Sequence, residues 1–325
     1  MDYQTKHVLA IVAILGCVFL FIYNLSFNTN WIVSMAFSSH KTTTKSDAVP
    51  VCSSEQRLNY IRRQMQTYNV TSRARLKLLV NDERKLAYCF IPKCASSTLK
   101  RLMVRLQSHS NVTRKRQRYH DESRLRQLGL RVIGSSGLKS IRNYRKFVVI
   151  RHPFDRLVSA FKSKILHDNE PVLQRKITRV LRRENITSRG FYGFVQAVLH
   201  GAYDYHWAPY FRFCHFQNVN YGDIGRLESF QHDMQLILSD VGVDIGVLQK
   251  YSANRRRNGS SSSLKTRPNV IESRYLPLFN QIPADDMMRL KTKYRLDLKV
   301  FGYDFDMNTL MASCDIESTD KTECC

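Results

Sequence analysis

Lys93 stands in the run Ile91-Pro92-Lys93-Cys94-Ala95-Ser96-Ser97-Thr98, one cation beside three hydroxyls and otherwise small or apolar side chains. Those residue types suit an anion: the ammonium supplies charge, and Ser96, Ser97 and Thr98 supply donors. The residues around the run say how it is held. Leu86-Ala87-Tyr88-Cys89-Phe90-Ile91 is apolar and aromatic and reads as a short buried strand. Pro92 has no N–H to donate and ends it. From Thr98 onward, Leu99, Leu102, Met103 and Leu106 recur at helical spacing. Strand, turn and helix N-terminus together aim orphan amides and the positive end of the helix dipole at one spot, which holds a phosphate. The usual nucleotide loop, G-x-x-x-x-G-K-[ST], is absent, and this run has no glycine. An ordinary ATP or GTP loop is therefore disfavoured, and the competing reading of these residues is a plain strand-to-helix connection capped by Ser or Thr.

A second unit of the same design follows. Phe147-Val148-Val149-Ile150 is wholly apolar, as a buried parallel strand should be. It runs into Arg151-His152-Pro153-Phe154-Asp155-Arg156-Leu157-Val158-Ser159-Ala160-Phe161, where Leu157, Val158 and Phe161 give a helix its apolar face. Arg151 then lies at a strand's C-terminal end, where open α/β sheets bind ligands, and Ser159 lies on the helix. Two such units suggest a ligand with two anionic ends. Beyond them the spacing predicts a helix over 191–199, a strand region over 221–228, and helices over 230–238 and 285–294. Between these lie the aromatic cluster Tyr203-Asp204-Tyr205-His206-Trp207-Ala208-Pro209 and the polar loop around Arg255-Arg256-Arg257.

The 325 residues carry 51 Lys+Arg against 27 Asp+Glu, a formal charge of +24, which implies a polyanionic partner. Location decides which one. Residues 8–27 form a run without charge, long enough to cross a bilayer and longer than a cleaved signal's core. Lys6 precedes it and no charge follows until Lys41, which favours a cytoplasmic N-terminus. The expected plan is a cytoplasmic tail (1–7), a transmembrane signal anchor (8–28), a luminal stem (29–80), a catalytic domain (81–306) and a C-terminal tail (307–325). Sequons at Asn69, Asn111, Asn185 and Asn258 fit a lumen. Seven cysteines beyond the span leave the disulfide pairing open. A luminal address argues against nucleic acid as partner.

Together these stretches resemble the Golgi carbohydrate sulfotransferases, in the branch of chondroitin/dermatan 4-O-sulfotransferases and glucuronyl 3-O-sulfotransferases. Ile91 to Met103 is similar to that family's 5′-phosphosulfate loop, and Phe147 to Phe161 is very similar to its 3′-phosphate motif. His206-Trp207-x-Pro209, Cys214, Gly225-Arg226-Leu227-Glu228, Ser263 to Arg267 and Tyr294 to Leu298 look like its later blocks. Leu99 replaces a usual Trp, and Gln217 replaces the second cysteine of a local Cys-x-x-Cys pair that begins at Cys214.

The resemblance implies an α/β fold, a P-loop-like parallel sheet flanked by helices, preceded by one transmembrane helix. It implies the co-substrate 3′-phosphoadenosine 5′-phosphosulfate, no metal, and a chondroitin-type acidic polysaccharide as acceptor in the Golgi lumen. Pro92, Lys93, Cys94, Ala95, Ser96, Ser97 and Thr98 would hold the phosphosulfate. Arg151 and Ser159 would hold the 3′-phosphate, and Lys265, Thr266 and Arg267 would close over the nucleotide. Lys93 would also neutralise charge on the leaving oxygen. Two histidines meet the need for a base near neutral pH. His120, in the basic segment Arg114-Lys115-Arg116-Gln117-Arg118-Tyr119-His120, is preferred. His206 is the second, although a core role suits it better. The rival readings are a uronyl 2-O-sulfotransferase of heparan or dermatan, a non-catalytic luminal polyanion-binding protein, and a P-loop kinase.

Overall fold

The computed structural model describes residues 54–69, 76–107, 119, 121–167, 170–244, 246 and 273–303. All of them belong to one compact unit, Val51–Cys325. In chain order the elements are α1 (Ser54–Thr67), β1 (Leu78–Asn81), β2 (Leu86–Cys89), α2 (Ser96–Arg105), α3 (Glu122–Gln127), β3 (Arg131–Ile133) and β4 (Arg145–Ile150). Then come α4 (Pro153–Ala160), which runs on into a π-helical turn (Phe161–Leu166), α5 (Pro171–Arg183), α6 (Gly190–Leu199) and β5 (Asp223–Arg226). α7 (Phe230–Ser239), α8 (Leu276–Phe279), α9 (Ala284–Lys293) and α10 (Arg295–Val300) complete the series.

The strands form one sheet in the order β3-β1-β2-β4-β5. β2, β4 and β5 are parallel, as expected of the two strand–loop–helix units. β1 is antiparallel to both β2 and β3, so the sheet is mixed rather than parallel throughout. The cause is local: a four-residue turn, Asp82 to Lys85, joins β1 to β2, too short for a crossover helix. Lys85 takes a left-handed φ of 48° there.

Strand alternation divides the core into two layers. Ala87, Cys89, Val148 and Ile150 face a large cluster that includes Phe154, Leu157, Phe194 and Trp207. Leu86, Tyr88, Phe147 and Val149 face a smaller one with Leu99, Leu102, Met103, Met234 and Ile237. Helices therefore cover both faces of the sheet. α1 packs against β5 and α10, burying Leu58, Ile61 and Met65, and Arg57 forms a buried ion pair with Asp233 of α7 at 2.7 Å. Arg57 also donates to the Ile224 carbonyl at 2.6 Å. Each such apolar side chain contributes about 1.5–3 kcal/mol, and breaking a buried ion pair costs about 3–5 kcal/mol. α1 and β1, assigned by the sequence to the stem, are thus part of the domain core, and the domain starts earlier than residue 81. No helix among the described residues is long and apolar enough to cross a membrane; the apolar run 8–27 lies outside them.

Candidate functional site at the C-terminal edge of the sheet

Because β2 and β4 are adjacent and parallel, with Cys89 opposite Val148, the loops that follow them leave by the same edge. The first loop takes an unusual path for a segment without glycine. Lys93 and Ala95 both have left-handed backbones, φ 70° and 55°. Alternating left-handed residues curl successive amides into a concavity that suits an anion, at a cost that side chains other than glycine rarely accept. The first bonds of α2 are donated by Thr98 and Leu99 to the Ala95 carbonyl, at 2.9 and 3.0 Å. The amides of Ala95 and Ser96 stand ahead of that ladder. Pro92, Lys93, Ala95, Ser96, Ser97 and Thr98 are partly exposed, whereas Cys94 is buried. Burial pushes the Cys94 thiol up to about 11, and its sulfur lies 3.7 Å from the Tyr210 hydroxyl. Cys94 can serve a ligand only through its backbone.

Arg151 follows β4. His152 caps α4, its ring accepting from Phe154 N at 3.3 Å, and Pro153 opens the helix. Between Arg151 and Ala160 every residue is buried except Ser159, which is partly exposed like Arg151. The Arg151 guanidinium lies 6.0 Å from the centre of the Tyr275 ring. Its backbone is fixed by Tyr210, whose hydroxyl donates to the Arg151 carbonyl and accepts from the Arg151 amide at 3.3 Å. Glu228, beyond β5, accepts from His152 N at 2.6 Å. The π-helical turn after α4 supplies Ser163, to whose hydroxyl the Lys93 ammonium donates. Burial holds Lys93 down to about 8, and the charges of Lys164, Arg151 and Arg156 add to the effect. Four cations therefore converge on one edge.

A third segment completes the edge. Arg156 donates to three backbone carbonyls: Pro92 at 3.0 Å, Ala208 at 2.6 Å and Tyr205 at 2.9 Å. It clamps the Lys93 loop to the 205–208 chain. There Asp204 Oδ1 lies 2.6 Å from His206 Nδ1 and accepts the His206 amide at 2.9 Å. Burial lowers the His206 pKa, Asp204 opposes this, and the charges of Lys164 and Lys93 reinforce it. His206 is thus oriented through one ring nitrogen, neutral-leaning, and within the field of Lys93.

Of the residues singled out in the sequence, Pro92 to Thr98, Arg151 and Ser159 lie in the two adjacent units, and His206 lies on the segment clamped to them. His120, Lys265, Thr266, Arg267, Asn111 and Asn258 fall outside the described residues, as do the basic runs 114–118 and 255–257. Asn69 and Asn185 are exposed. Cys214 pairs with Cys89, the last residue of β2, rather than locally. Sequence reasoning missed Asp204, Ser163, Lys164, Tyr210 and Tyr275. Only Asp204, two residues from a candidate base, carried a usable signal; the others depend on long-range packing.

A profile described as the sulfotransferase family matches residues 76–304. The chain belongs to the sulfotransferase family. Among curated sulfotransferases it is 25% identical to carbohydrate sulfotransferase 11 of Mus musculus over 247 residues, covering 70% of this chain and 66% of that one. It is 29% identical to carbohydrate sulfotransferase 10 of Gallus gallus over 256 residues, covering 71% and 68%. It is 27% identical to carbohydrate sulfotransferase 12 of Xenopus laevis over 265 residues, covering 70% and 60%. The chain spans about two thirds of the length of these relatives. No solved structure matches. The span shared with sulfotransferases contains both strand–loop–helix units and the 204–214 segment, but not α1.

Proposed function

We propose that this chain is a carbohydrate O-sulfotransferase that carries sulfate from 3′-phosphoadenosine 5′-phosphosulfate to a hydroxyl of an acidic polysaccharide. The observation that supports it is the pairing of Lys93 and Arg151 at the ends of adjacent parallel strands, two anion sites at one edge for a donor with two anionic ends. The curled amides of the Lys93 loop and Ser96 to Thr98 take the phosphosulfate. Arg151 and Ser159 take the 3′-phosphate, and Lys265, Thr266 and Arg267 close over the nucleotide. The acceptor oxygen forms a bond to sulfur as the bond from sulfur to the 5′-phosphate oxygen breaks. Lys93 neutralises the charge left on that oxygen. The hydroxyl proton passes to a histidine, for which we take His206, held by Asp204, over His120. As in other group transfers, positioning and charge carry the rate.

The acceptor we favour is the 4-O position of N-acetylgalactosamine in chondroitin. The Cys89–Cys214 bridge and the exposed sequons Asn69 and Asn185 support a luminal, Golgi-anchored protein with its span over 8–28. Transfer of labelled sulfate to unsulfated chondroitin, compared with desulfated heparan and dermatan and followed by disaccharide analysis, tests the reading. Lys93→Ala and Arg151→Ala are expected to abolish transfer with the fold intact. Retained activity in either would overturn the site. Absence of donor binding by calorimetry would overturn the enzyme, and protection from unfolding by ATP alone would revive a kinase.

A further inference from the structure

α5 carries five cations, Arg175, Lys176, Arg179, Arg182 and Arg183, and no carboxylate in its 13 residues. Two of the five have structural work. Lys176 donates to the Tyr203 carbonyl, and Arg183 pairs with Glu184 at 2.7 Å. The acids flanking the helix are also taken: Glu170 by Lys164 at 2.6 Å, and Glu184 by Arg183. Arg175, Arg179 and Arg182 are exposed and form no ion pair with any described carboxylate. Their spacing, i, i+4 and i+7, sets them in one row about 10 Å long on the outer face. Neighbouring like charges on a helix oppose each other and weaken it. The row is a cost to the folded chain unless an anion answers it.

The row does not stand alone. Lys176 ties the helix to Tyr203, next to Asp204 and His206. Tyr203 and Tyr205 are 48% and 53% exposed, and Tyr205 lies against the His206 ring at 4.2 Å. Lys164, at the start of the connection to α5, lies near enough to Lys93 and His206 to shift both. A continuous basic and aromatic path therefore leads from the site out along the helix. We propose that the exposed rings of Tyr203 and Tyr205 and the row Arg175, Arg179 and Arg182 form the binding track for an acidic polysaccharide, the rings meeting sugar faces near the reaction centre and the arginines meeting acid groups farther along the chain. The inference rests on the reading that this chain sulfates such a polymer. A membrane surface fits less well. A helix that lies in a bilayer needs a free apolar face, and that of α5 is spent on Leu173, Ile177 and Val180 in the core.

The test uses the full chain and two charge-matched variants. One reverses the row (Arg175→Glu, Arg179→Glu, Arg182→Glu), and the control reverses three exposed cations elsewhere (Arg63→Glu, Arg126→Glu, Lys139→Glu). Reversing the row should raise KM for the polymeric acceptor about tenfold or more and flatten its salt dependence. KM for the donor and for a short oligosaccharide of the same sugars should hold within about twofold, since neither reaches the row. Direct binding of unsulfated chondroitin and desulfated heparan to each protein is measured in parallel. An equal loss in the control variant, an equal loss on the short acceptor, or no loss on the polymer overturns the track. So does a row variant that fails only to bind anionic vesicles. Row-dependent binding by a wild type that transfers no sulfate would sink the enzymatic reading and leave the track standing.

Discussion

Lys93 is held charged at neutral pH where the protein would rather it were not. A lysine in water titrates near 10.5, and burial, with three cations nearby, brings this one to about 8. Between those values the fold binds fewer protons than the unfolded chain. Its contribution to stability is therefore present above 10.5 and lost as pH falls through about 8. Below that, the charged ammonium costs about 1–3 kcal/mol, since solvent screens the part of the group that stays exposed. Lys93→Met, which keeps the aliphatic stem, should stabilise the free protein at neutral pH by about 1–3 kcal/mol while abolishing transfer. A melting temperature unchanged or lowered would contradict this. In the proposed reaction Lys93 acts as the ammonium, so wild-type kcat/KM should decline as pH rises beyond about 8. If His206 is the base, as proposed, it governs the opposite limb: it must be neutral, so activity is expected to fall as pH drops through its lowered pKa. His206→Gln should cut kcat about a hundredfold or more with donor affinity unchanged. Asp204 raises that pKa, so Asp204→Asn should shift the acid limb further down. Wild-type kcat in His206→Gln would hand the role to another residue.

Among the elements, Tyr210 does for the second loop what Arg156 does for the first. The Tyr210 hydroxyl is bonded to both backbone groups of Arg151, while its own amide is held by both Asp297 oxygens at 2.8 and 2.9 Å. Tyr210→Phe keeps the packing but removes both hydrogen bonds to the partly buried Arg151 backbone, a loss of about 1–2 kcal/mol. It should weaken donor binding severalfold, read by calorimetry beside thermal unfolding. Unchanged affinity would mean Arg151 does not need the brace. None of this was legible beforehand, because Tyr210 and Arg151 lie 59 residues apart, and Arg156 and Pro92 lie 64 apart. The two strand–loop–helix units were legible, since an apolar run, a proline and a helical apolar period follow one another without interruption. β1 was not. Its four residues, Leu78 to Asn81, are buried on both faces and show no alternation, and they follow a helix rich in arginine. The left-handed backbones at Lys93 and Ala95 were also hidden, because neither position carries the glycine that would announce them.

For the molecule as a whole, the Cys89–Cys214 bridge joins what the sheet alone leaves apart. Cys89 ends β2, immediately before the Lys93 loop, and Cys214 follows the Tyr210 turn that braces Arg151. The bridge spans a sequence separation of 125, so in the unfolded chain it closes a long loop. Closing a loop of that length stabilises by about 4–5 kcal/mol. In a domain of this size that corresponds to a fall of about 10–15 °C in melting temperature once the bridge is gone. Both sulfurs are buried, so a paired Cys89→Ala, Cys214→Ala variant removes the covalent tie and leaves a small void whose cost adds to the loss. That variant also leaves the cysteines outside the described residues untouched, which a reductant would not. It should melt well below the wild type and bind donor more weakly, because the segment carrying His206 and Tyr210 is then held to the Lys93 loop chiefly by the three Arg156 hydrogen bonds. If it melts within about 2 °C of the wild type, less than 1 kcal/mol is at stake, and the tie between the strand end and the Tyr210 turn must come from side-chain packing alone.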